Sequence, residues 1–287
     1  MGRIALLANP ESGQGEADEV ERELRDLGAD VARFAIEDAE DALTASAERI
    51  VVAGGDGSLG LAASVASRAG APLGVIPVGT ANDFARAFDL PDELSEAVRV
   101  AATGTRTKSI ELGRMSGGDE RAGRPFVNVA SMGLPPEAAK RADGLKQRLG
   151  PFAYAVGGVR AAAAASPVRC RIVDAEGDIL FAGKAWQATV ACSGHFGGGS
   201  QVEADPSDGM LDAVAVEAGS RLKLALRARG MRTGTLEEQA GVRTRRSAAF
   251  TFEVAPETPF NIDGELCVRS GEVRFTVDPD AVEVVIG

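Results

Sequence analysis

The chain has 287 residues, 45% of them hydrophobic and 25% charged, which is typical of a soluble globular protein with one large domain or two ordinary ones. A formal net charge of −11 and an aromatic content of 5% argue against nucleic acid as the main partner. Three widely spaced cysteines and a single histidine exclude a disulfide frame and zinc motifs that need two histidines.

The N-terminal half alternates short apolar runs with amphipathic segments. We predict strands at residues 4–8, 31–36, 50–53 and 73–76, and helices at residues 16–27, 39–47 and 59–69 and up to Phe88. Strands that alternate with helices are typical of a doubly wound parallel sheet, so we predict an α/β fold for this half.

After about residue 105 the pattern changes to alternating segments separated by turn residues, such as VRCRIVDAEG, WQATVACSG and LDAVAVEAG. This pattern predicts antiparallel strands in a β-sandwich, interrupted by helical segments at residues 135–165 and 221–231. We expect a cleft between the halves to hold the functional site. Because no segment reads as a signal peptide or a spanning helix, we expect a cytoplasmic protein.

A glycine-rich loop, GGDGS, follows the third predicted strand and opens a helix. Gly54, Gly55 and Gly57 surround Asp56, and Ser58 follows. Glycines at the carboxyl end of a parallel strand let backbone N–H groups approach phosphate oxygens, and the helix N-terminus adds positive potential. We therefore favour phosphate binding over the alternative, which is a simple turn with the aspartate or the serine as helix N-cap.

Two further polar junctions follow neighbouring predicted strands. PVGTANDFA, from Pro77 to Ala85, has Thr80 and Asp83 at capping-box spacing, so the aspartate alternatively only caps a helix. NPESGQG, from Asn9 to Gly15, follows the first strand. Because neighbouring strands of a parallel sheet end at one edge, the three junctions can line one crevice.

The C-terminal half contains two acidic turns, DPSDGML at residues 205–211 and NIDGE at residues 261–265. The plain interpretation of both is a β-turn, since Asp-Gly is a leading turn dipeptide. In an extended chain, however, Asp263 and Glu265 would point to the same face. Two carboxylates aimed together are costly unless a cation or a proton is handled there.

Taken together, these motifs resemble the diacylglycerol kinase catalytic family in its bacterial soluble lipid-kinase branch. GGDG alone is weakly specific because NAD kinases share it, whereas the long PVGTANDFARAF block with a late DGE is specific. The resemblance covers nearly the whole chain and is carried by residues 9–15, 54–60, 73–91, 126–134, 149–161, 197–212 and 261–265.

The resemblance implies an ATP-binding α/β domain over residues 1–120 and a β-sandwich lipid-substrate domain over residues 121–274, with residues 275–287 returning to the first domain. It also implies ATP and Mg²⁺ as cofactors and Glu265 as general base. From its position beside Glu265, we expect Asp263 either to orient that base or to hold metal-bound water. The implied magnesium ligands are Asp208 and the carbonyl oxygens of Asp205 and Met210. The implied nucleotide-binding residues are Asn9, Gly54, Gly55, Asp56, Gly57, Ser58, Gly79, Thr80, Asn82 and Asp83.

Four positions depart from the family pattern. Ser58 replaces a usual threonine, Gly60 stands where asparagine is common, Ala35 falls where a relative has a threonine, and Glu111 replaces a usual aspartate. These departures concern nucleotide affinity and the metal network. They do not alter the predicted reaction class.

We predict an ATP-dependent lipid kinase that phosphorylates a lipid hydroxyl, such as that of diacylglycerol. The alternatives are an NAD-kinase-like phosphotransferase and a non-catalytic lipid-binding protein of the same fold. The expected partner is a lipid at the inner face of the membrane, and the family often forms homodimers.

We expect a structural role for His195. A basic face, with Phe152 and Tyr154, is expected to approach the bilayer unless it is only a solvated surface; it comprises Arg221, Lys223, Arg227, Arg229, Arg232, Arg243, Arg245 and Arg246.

Overall fold

The computed structural model describes residues 2–8, 14–79, 82–117, 120–133, 166–193, 195–196, 200–201, 204–220 and 240–287. Several predictions therefore lie outside the described residues. They concern Asn9, Thr80, the helical segments at 135–165 and 221–231, and the basic residues between 221 and 232. The side chain of His195 also lies outside the described part of the chain.

Four parallel strands form the N-terminal part of the main sheet, in the order β2-β1-β3-β4. Strands β1, β3 and β4 are short apolar runs buried on both sides, as expected for parallel strands covered by helices, whereas the edge strand β2 is only partly buried. Their bounds are β1 (Arg3–Ala8), β2 (Asp30–Ala35), β3 (Arg49–Gly54) and β4 (Leu73–Pro77), close to those predicted.

Helical segments cover both faces of these strands. They are α1 (Gln14–Asp26), a 3₁₀ helix η1 (Ile36–Ala45), α2 (Asp56–Ala69), α3 (Asp83–Ala87) and α4 (Leu94–Thr103). Helices α1 and α4 pack on one face, whereas η1 and α2 pack on the other. The short helix predicted at 39–47 is the 3₁₀ helix η1, which begins three residues earlier and is kinked at Asp38.

The C-terminal part is rich in antiparallel strands. They run from β5 to β15: β5 (Thr107–Gly117), β6 (Glu120–Phe126), β7 (Val129–Gly133), β8 (Val168–Asp174), β9 (Ile179–Ala191), β10 (His195–Phe196), β11 (Ser200–Gln201), β12 (Leu211–Glu217), β13 (Val242–Ser247), β14 (Ala249–Ile262) and β15 (Glu265–Val285). Side chains at alternate positions of these strands point inward and form a second apolar core, which contains Phe126, Phe250, Phe252, Phe260 and Phe275.

The last strand connects the two parts. β15 pairs antiparallel with β14 and β5, and near its end Val284 lies parallel to Leu73 of β4. The main sheet of the described residues is therefore continuous across both parts, with 13 strands. The carbonyl of Gly287 accepts hydrogen bonds from the N–H groups of Thr105 and Arg106, which fixes the chain end beside β5. No helix of the described residues is long and apolar enough to cross a membrane.

Candidate active site

The glycine loop and the second strand-end junction touch backbone to backbone. A Cβ atom added to Gly79 would lie 2.5 Å from the Cα of Gly55, and one added to Gly55 would lie 3.2 Å from the Cα of Gly79. Real Cβ contacts are longer than 3.0 Å. Close packing of the two loops therefore requires glycine at Gly79 and strongly favours it at Gly55, independently of any ligand.

Asp56 uses its carboxylate to cap a neighbouring helix. Its Oδ2 accepts the N–H of Asp83 at 3.0 Å, and its Oδ1 accepts the N–H of Phe84 at 3.0 Å, at the start of α3. The alternative prediction that Asp56 or Ser58 caps its own helix is wrong, because the N-cap of α2 is Gly55 and no side chain bonds to it.

The N-terminus of α3 is held by side chains on both sides. The N-cap is Asn82, with a φ of 49°, and its amide donates to the carbonyls of Gly79 (2.9 Å) and Pro77 (3.2 Å). Asp83 lies in the first turn of α3, and its carboxylate pairs with Arg86. Because Thr80 lies outside the described residues, the alternative that Asp83 takes part in capping this helix stays a prediction. Asn82 and Asp56 thus fix the PVGTAND junction against the glycine loop.

The DGE segment is a tight hairpin turn between β14 and β15. Asp263 and Gly264 have φ angles of 47° and 99°, as in a type I′ turn, and Asn261 Oδ1 accepts the N–H of Gly264 at 2.9 Å. The prediction that Asp263 and Glu265 share one face of an extended strand is wrong, because the positive φ angles turn the chain. Asp263 is 6% exposed, whereas the side chain of Glu265 is 50% exposed.

Asp263 binds three consecutive backbone N–H groups just before β7. Its Oδ2 accepts from Val127 at 2.7 Å, and its Oδ1 accepts from Asn128 at 3.0 Å and Val129 at 2.8 Å. Burial raises the pKa of Asp263 to about 7; the three N–H groups oppose this rise and the charge of Asp56 adds to it. With both oxygens engaged, Asp263 anchors the β6–β7 connection and is poorly placed to accept a substrate proton.

Glu265 lies across the glycine loop. A Cβ atom added to Gly57 would lie 3.1 Å from its Cγ and 3.2 Å from its Oε1, so the glycine makes room for this side chain. Its other oxygen, Oε2, pairs with Arg124 of β6. The fold thus brings a solvent-accessible carboxylate from the C-terminal part onto the loop that follows β3.

Close packing explains the departure at Gly60, whereas nothing in the structure explains the serine in place of a threonine at Ser58. Ser58 is buried, and its N–H donates to the carbonyl of Gly55 at 3.0 Å. A Cβ atom on Gly60 would lie 2.6 Å from the carbonyl oxygen of Pro125. Helix α2 therefore approaches β6 more closely than an asparagine at this position would allow.

The second acidic turn, from Asp205 to Met210, precedes β12. Asp208 Oδ1 accepts the N–H of Met210 at 3.0 Å, and its Oδ2 lies 3.1 Å from Arg246 Nη1. Asp205 accepts from the hydroxyl and N–H of Ser207, and the hydroxyl contact is the main cause that lowers its pKa. In the part of the chain that the structure describes, no group of three or more acidic, histidine or cysteine side chains could hold a metal.

The buried side chain of Glu111, in β5, packs against this turn and holds its backbone. Its Oε2 accepts the N–H of Gly209 at 2.8 Å, its own N–H donates to Pro206, and it is 1% exposed. Oε1 has no hydrogen-bond partner. Burial raises the pKa of Glu111 to about 7; the Gly209 N–H opposes the rise, and the charges of the nearby aspartates, Asp208 first, add to it.

Sequence reasoning missed three residues at this site: Arg86, Arg124 and Asn128. The sequence could have indicated Asn128, because it is a polar residue inside the apolar run FVNVA. It could not have indicated Arg86 or Arg124, because their positions depend on how α3 and β6 pack against the glycine loop and the DGE turn. Of the predicted residues, the structure gathers Asp56, Gly57 with Glu265, and Asp263 into one cluster, while Asp205, Asp208 and Met210 form a separate turn.

Comparisons with known proteins agree with this architecture. A family model described as "Diacylglycerol kinase catalytic domain" matches residues 3–115, and one described as "YegS C-terminal NAD kinase beta sandwich-like domain" matches residues 128–286. These matches confirm the predicted order of a kinase-type N-terminal part and a β-sandwich C-terminal part.

Relatives of known name match most of the chain. A diacylglycerol kinase of Mycobacterium tuberculosis (strain H37Rv) is 32% identical over 241 residues, covering 78% of this chain and 76% of the relative. One of Staphylococcus aureus (strain MRSA252) is 29% identical over 287 residues, covering 92% and 86%. A crystal structure of a diacylglycerol kinase from Bacillus anthracis shares the fold, with a TM-score of 0.73 at 18% identity over 99% of this chain and 96% of that one. The chain therefore belongs to the diacylglycerol kinase family, a family of lipid kinases.

Proposed function

We propose that the protein transfers the γ-phosphate of ATP to the hydroxyl of a lipid such as diacylglycerol, with Mg²⁺, between the glycine loop and the DGE turn. The observation that carries this proposal is the position of Glu265. Its carboxylate is accessible to solvent and lies against Gly57, at the start of α2.

The nucleotide would bind at the carboxyl ends of the strands in a doubly wound sheet. Backbone N–H groups of Gly55 and Gly57 and the N-terminus of the 14-residue helix α2 suit phosphate oxygens. Asp56 and Asn82 would act indirectly, because their side chains hold α3 and the facing loop in place. Asn9, Thr80 and Asp83 belong to the proposed nucleotide site through the family resemblance.

Glu265 would accept the proton of the attacking lipid hydroxyl. A hydroxyl is a poor acid, so a carboxylate within hydrogen-bond reach assists its in-line attack on the γ-phosphate. Arg124 pairs with this carboxylate. Its guanidinium would also offset negative charge where the phosphate is transferred. Asp263 would keep the turn in place by its three N–H contacts and would not exchange protons with substrate.

Magnesium bound to ATP would supply charge neutralisation for phosphoryl transfer. A second ion would be held by Asp208 and the carbonyl oxygens of Asp205 and Met210. The donor set fits a hard cation, since all these atoms are oxygens and the buried Oε1 of Glu111 nearby has no hydrogen-bond partner. Arg246, which already pairs with Asp208, would compete with that ion.

We also propose transient binding to the inner face of the membrane, where the lipid resides, by a cytoplasmic protein that forms homodimers. Part of the expected basic face is already engaged, because Arg245 pairs with Asp174, and Arg246 pairs with Asp208 and Asp212. Arg243 and the residues outside the described ranges would therefore supply the remaining attraction. Co-sedimentation with liposomes of increasing anionic lipid content tests this contact.

A radiolabelled ATP assay tests the proposed function. Purified protein is incubated with γ-labelled ATP and Mg²⁺ against diacylglycerol, phosphatidylglycerol, a sphingoid base and undecaprenol, each in mixed micelles, and against NAD in solution. We expect label in one lipid and none when EDTA replaces Mg²⁺. Label in NAD instead would favour the NAD-kinase-like alternative. If ATP with Mg²⁺ does not change the melting temperature and no lipid is labelled, the protein is a non-catalytic lipid binder.

A further inference from the structure

Asn128 lies between two carboxylates of the site, that of Asp263, which is buried, and that of Asp56, which is partly buried. It follows β6, precedes β7 and is 1% exposed. Its side-chain amide donates to Asp56 Oδ1 at 3.3 Å, and its backbone N–H donates to Asp263 Oδ1 at 3.0 Å. One residue therefore contacts the aspartate of the glycine loop and the aspartate of the DGE turn.

The orientation of this amide is fixed from the other side. Asn128 Oδ1 accepts the hydroxyl of Ser193 at 2.7 Å, and the backbone carbonyl of Asn128 accepts the N–H of Cys192 at 2.8 Å. Ser193 is 3% exposed. Because the oxygen faces a hydroxyl and the nitrogen faces a carboxylate, the amide has a defined orientation, and buried groups satisfied in this way hold a single geometry.

Each carboxylate that Asn128 contacts controls one part of the site. Asp56 caps α3 and so places the PVGTAND junction. Asp263 precedes Glu265 by two residues and fixes the hairpin turn from which Glu265 extends. Any shift of one aspartate relative to the other would move Glu265 relative to the glycine loop.

An amide is well suited to this position. The two aspartates repel each other, as the contribution of Asp56 to the raised pKa of Asp263 shows. An aspartate at 128 would add a third negative charge, and an alanine would leave Asp56 and Ser193 each without one partner. Asparagine joins the two carboxylates with neutral N–H donors.

We infer that Asn128 is a positioning residue, which sets the place of Glu265 over the glycine loop by joining Asp56 to Asp263. The inference rests on the proposed function in taking Glu265 as the base. It assigns no direct contact with substrate to Asn128. Its effect on kcat should therefore pass through Glu265, and any effect on ATP binding through Asp56 and α3.

A kinetic comparison tests the inference. We expect Asn128→Ala to lower kcat roughly tenfold to a hundredfold, because a displacement of about 1 Å has an effect of this size, while KM for ATP changes by a smaller factor. In a Glu265→Gln background the same substitution should add less than about twofold, since it acts through Glu265. Gln187→Ala, which removes another buried amide in β9, is the matched control and should leave kcat unchanged. Wild-type kcat in Asn128→Ala, or fully multiplicative effects with Glu265→Gln, would overturn the inference.

Amide hydrogen exchange gives a second readout that does not depend on lipid phosphorylation. Asn128→Ala should lower protection at Asp83 and Phe84, which Asp56 caps, together with Val127 and Val129, which Asp263 binds. Gln187→Ala should lower neither pair. Loss of protection at residues 127 and 129 alone would overturn the inference. If the wild type phosphorylates no lipid, the proposed function fails. Amide hydrogen exchange then still decides whether Asn128 joins Asp56 to Asp263.

If the alanine variant does not fold, Asn128→Asp replaces it in the hydrogen-exchange experiment. It keeps the shape and the oxygen that faces Ser193, but it replaces the N–H donor to Asp56 by a carboxylate. We expect the same paired loss of protection, growing as pH rises and the added carboxyl ionises. Protection that equals the wild type at pH 8 would contradict the role of Asn128.

Discussion

Two Asp-Gly turns in the C-terminal part have the same sequence signal and different surroundings. At Asp263–Gly264 the carboxylate is buried and accepts three N–H groups from the start of β7. At Asp208–Gly209 the carboxylate is partly exposed, accepts one N–H group and pairs with Arg246. The dipeptide predicts a turn in both cases, but the elements packed around each turn decide what its carboxylate does.

The two turns differ in how much of the hydrogen-bonding capacity of their carboxyl groups the protein itself uses. The hydrogen-bonding capacity of Asp263 is used within the protein, so the turn is held without an ion. The other turn rests on Glu111, a buried carboxyl with one unpartnered oxygen. Such a group is costly when charged, so this turn suits a proton or a cation.

The largest expected contrast is between alanine substitutions of the two aspartates. Asp263→Ala leaves three buried N–H groups without acceptors, and each costs about 1–3 kcal/mol, so we expect a loss of at least about 3 kcal/mol in the free energy of unfolding. Asp208→Ala removes a partly exposed ion pair and should cost about 1 kcal/mol or less in EDTA. Urea unfolding of both variants measures the contrast, and equal losses would contradict the distinction between the turns.

The central site should also depend on close backbone packing. Gly79→Ala would bring a Cβ atom to 2.5 Å from the Cα of Gly55, so we expect a loss of about 1–3 kcal/mol and weaker ATP binding. Gly219→Ala is the matched control, since nothing lies within 4 Å of its added Cβ and it lies outside the proposed site. Thermal unfolding and nucleotide titration measure both effects. An unchanged Gly79→Ala protein would show that the two loops do not pack as described.

The second turn should make stability depend on pH through Glu111. Because its folded pKa is raised to about 7, the folded state holds a proton that the unfolded state has released, and stability falls as pH rises from about 4.5 to 7. Glu111→Gln should reduce this fall by about 1–2 kcal/mol, which is less than the full value of about 1.4 kcal/mol per pKa unit because relaxation and water penetration lower the cost of a buried charge. Unfolding in EDTA at pH 5 and pH 8 measures it, with the exposed Glu283→Gln as control. An identical pH dependence in Glu111→Gln would contradict this account.

The smallest expected effect is that of magnesium on the same turn. At ten times its dissociation constant, Mg²⁺ should stabilise the wild type by about 1.4 kcal/mol. Asp208→Asn should abolish the part due to this site, and Arg246→Gln should increase it by removing the competing cation. The exposed Asp178→Asn is the control. A magnesium-dependent shift in melting temperature that survives Asp208→Asn would remove the proposed ion from this turn.

The sequence allowed the strands and junctions to be predicted, because continuous apolar runs and glycines act locally. It also allowed both Asp-Gly turns to be placed. It did not reveal α4, whose inward residues Ala97, Val98 and Ala101 form a weak apolar face. Nor could it reveal that Asp263 binds Val127, 136 positions earlier, because such partners are set by how β7 packs against β14.

The central claim is that Glu265, held over the glycine loop, acts as the base of a lipid kinase. Measuring kcat of Glu265→Gln with the lipid identified in the labelled-ATP assay tests it most directly. We expect a loss of about 10²- to 10⁴-fold, or roughly 3–5 kcal/mol of barrier, with ATP binding and melting temperature nearly unchanged. Glu272→Gln, an exposed glutamate of the same strand, should retain full activity. Near-normal turnover in a folded Glu265→Gln protein would contradict the account.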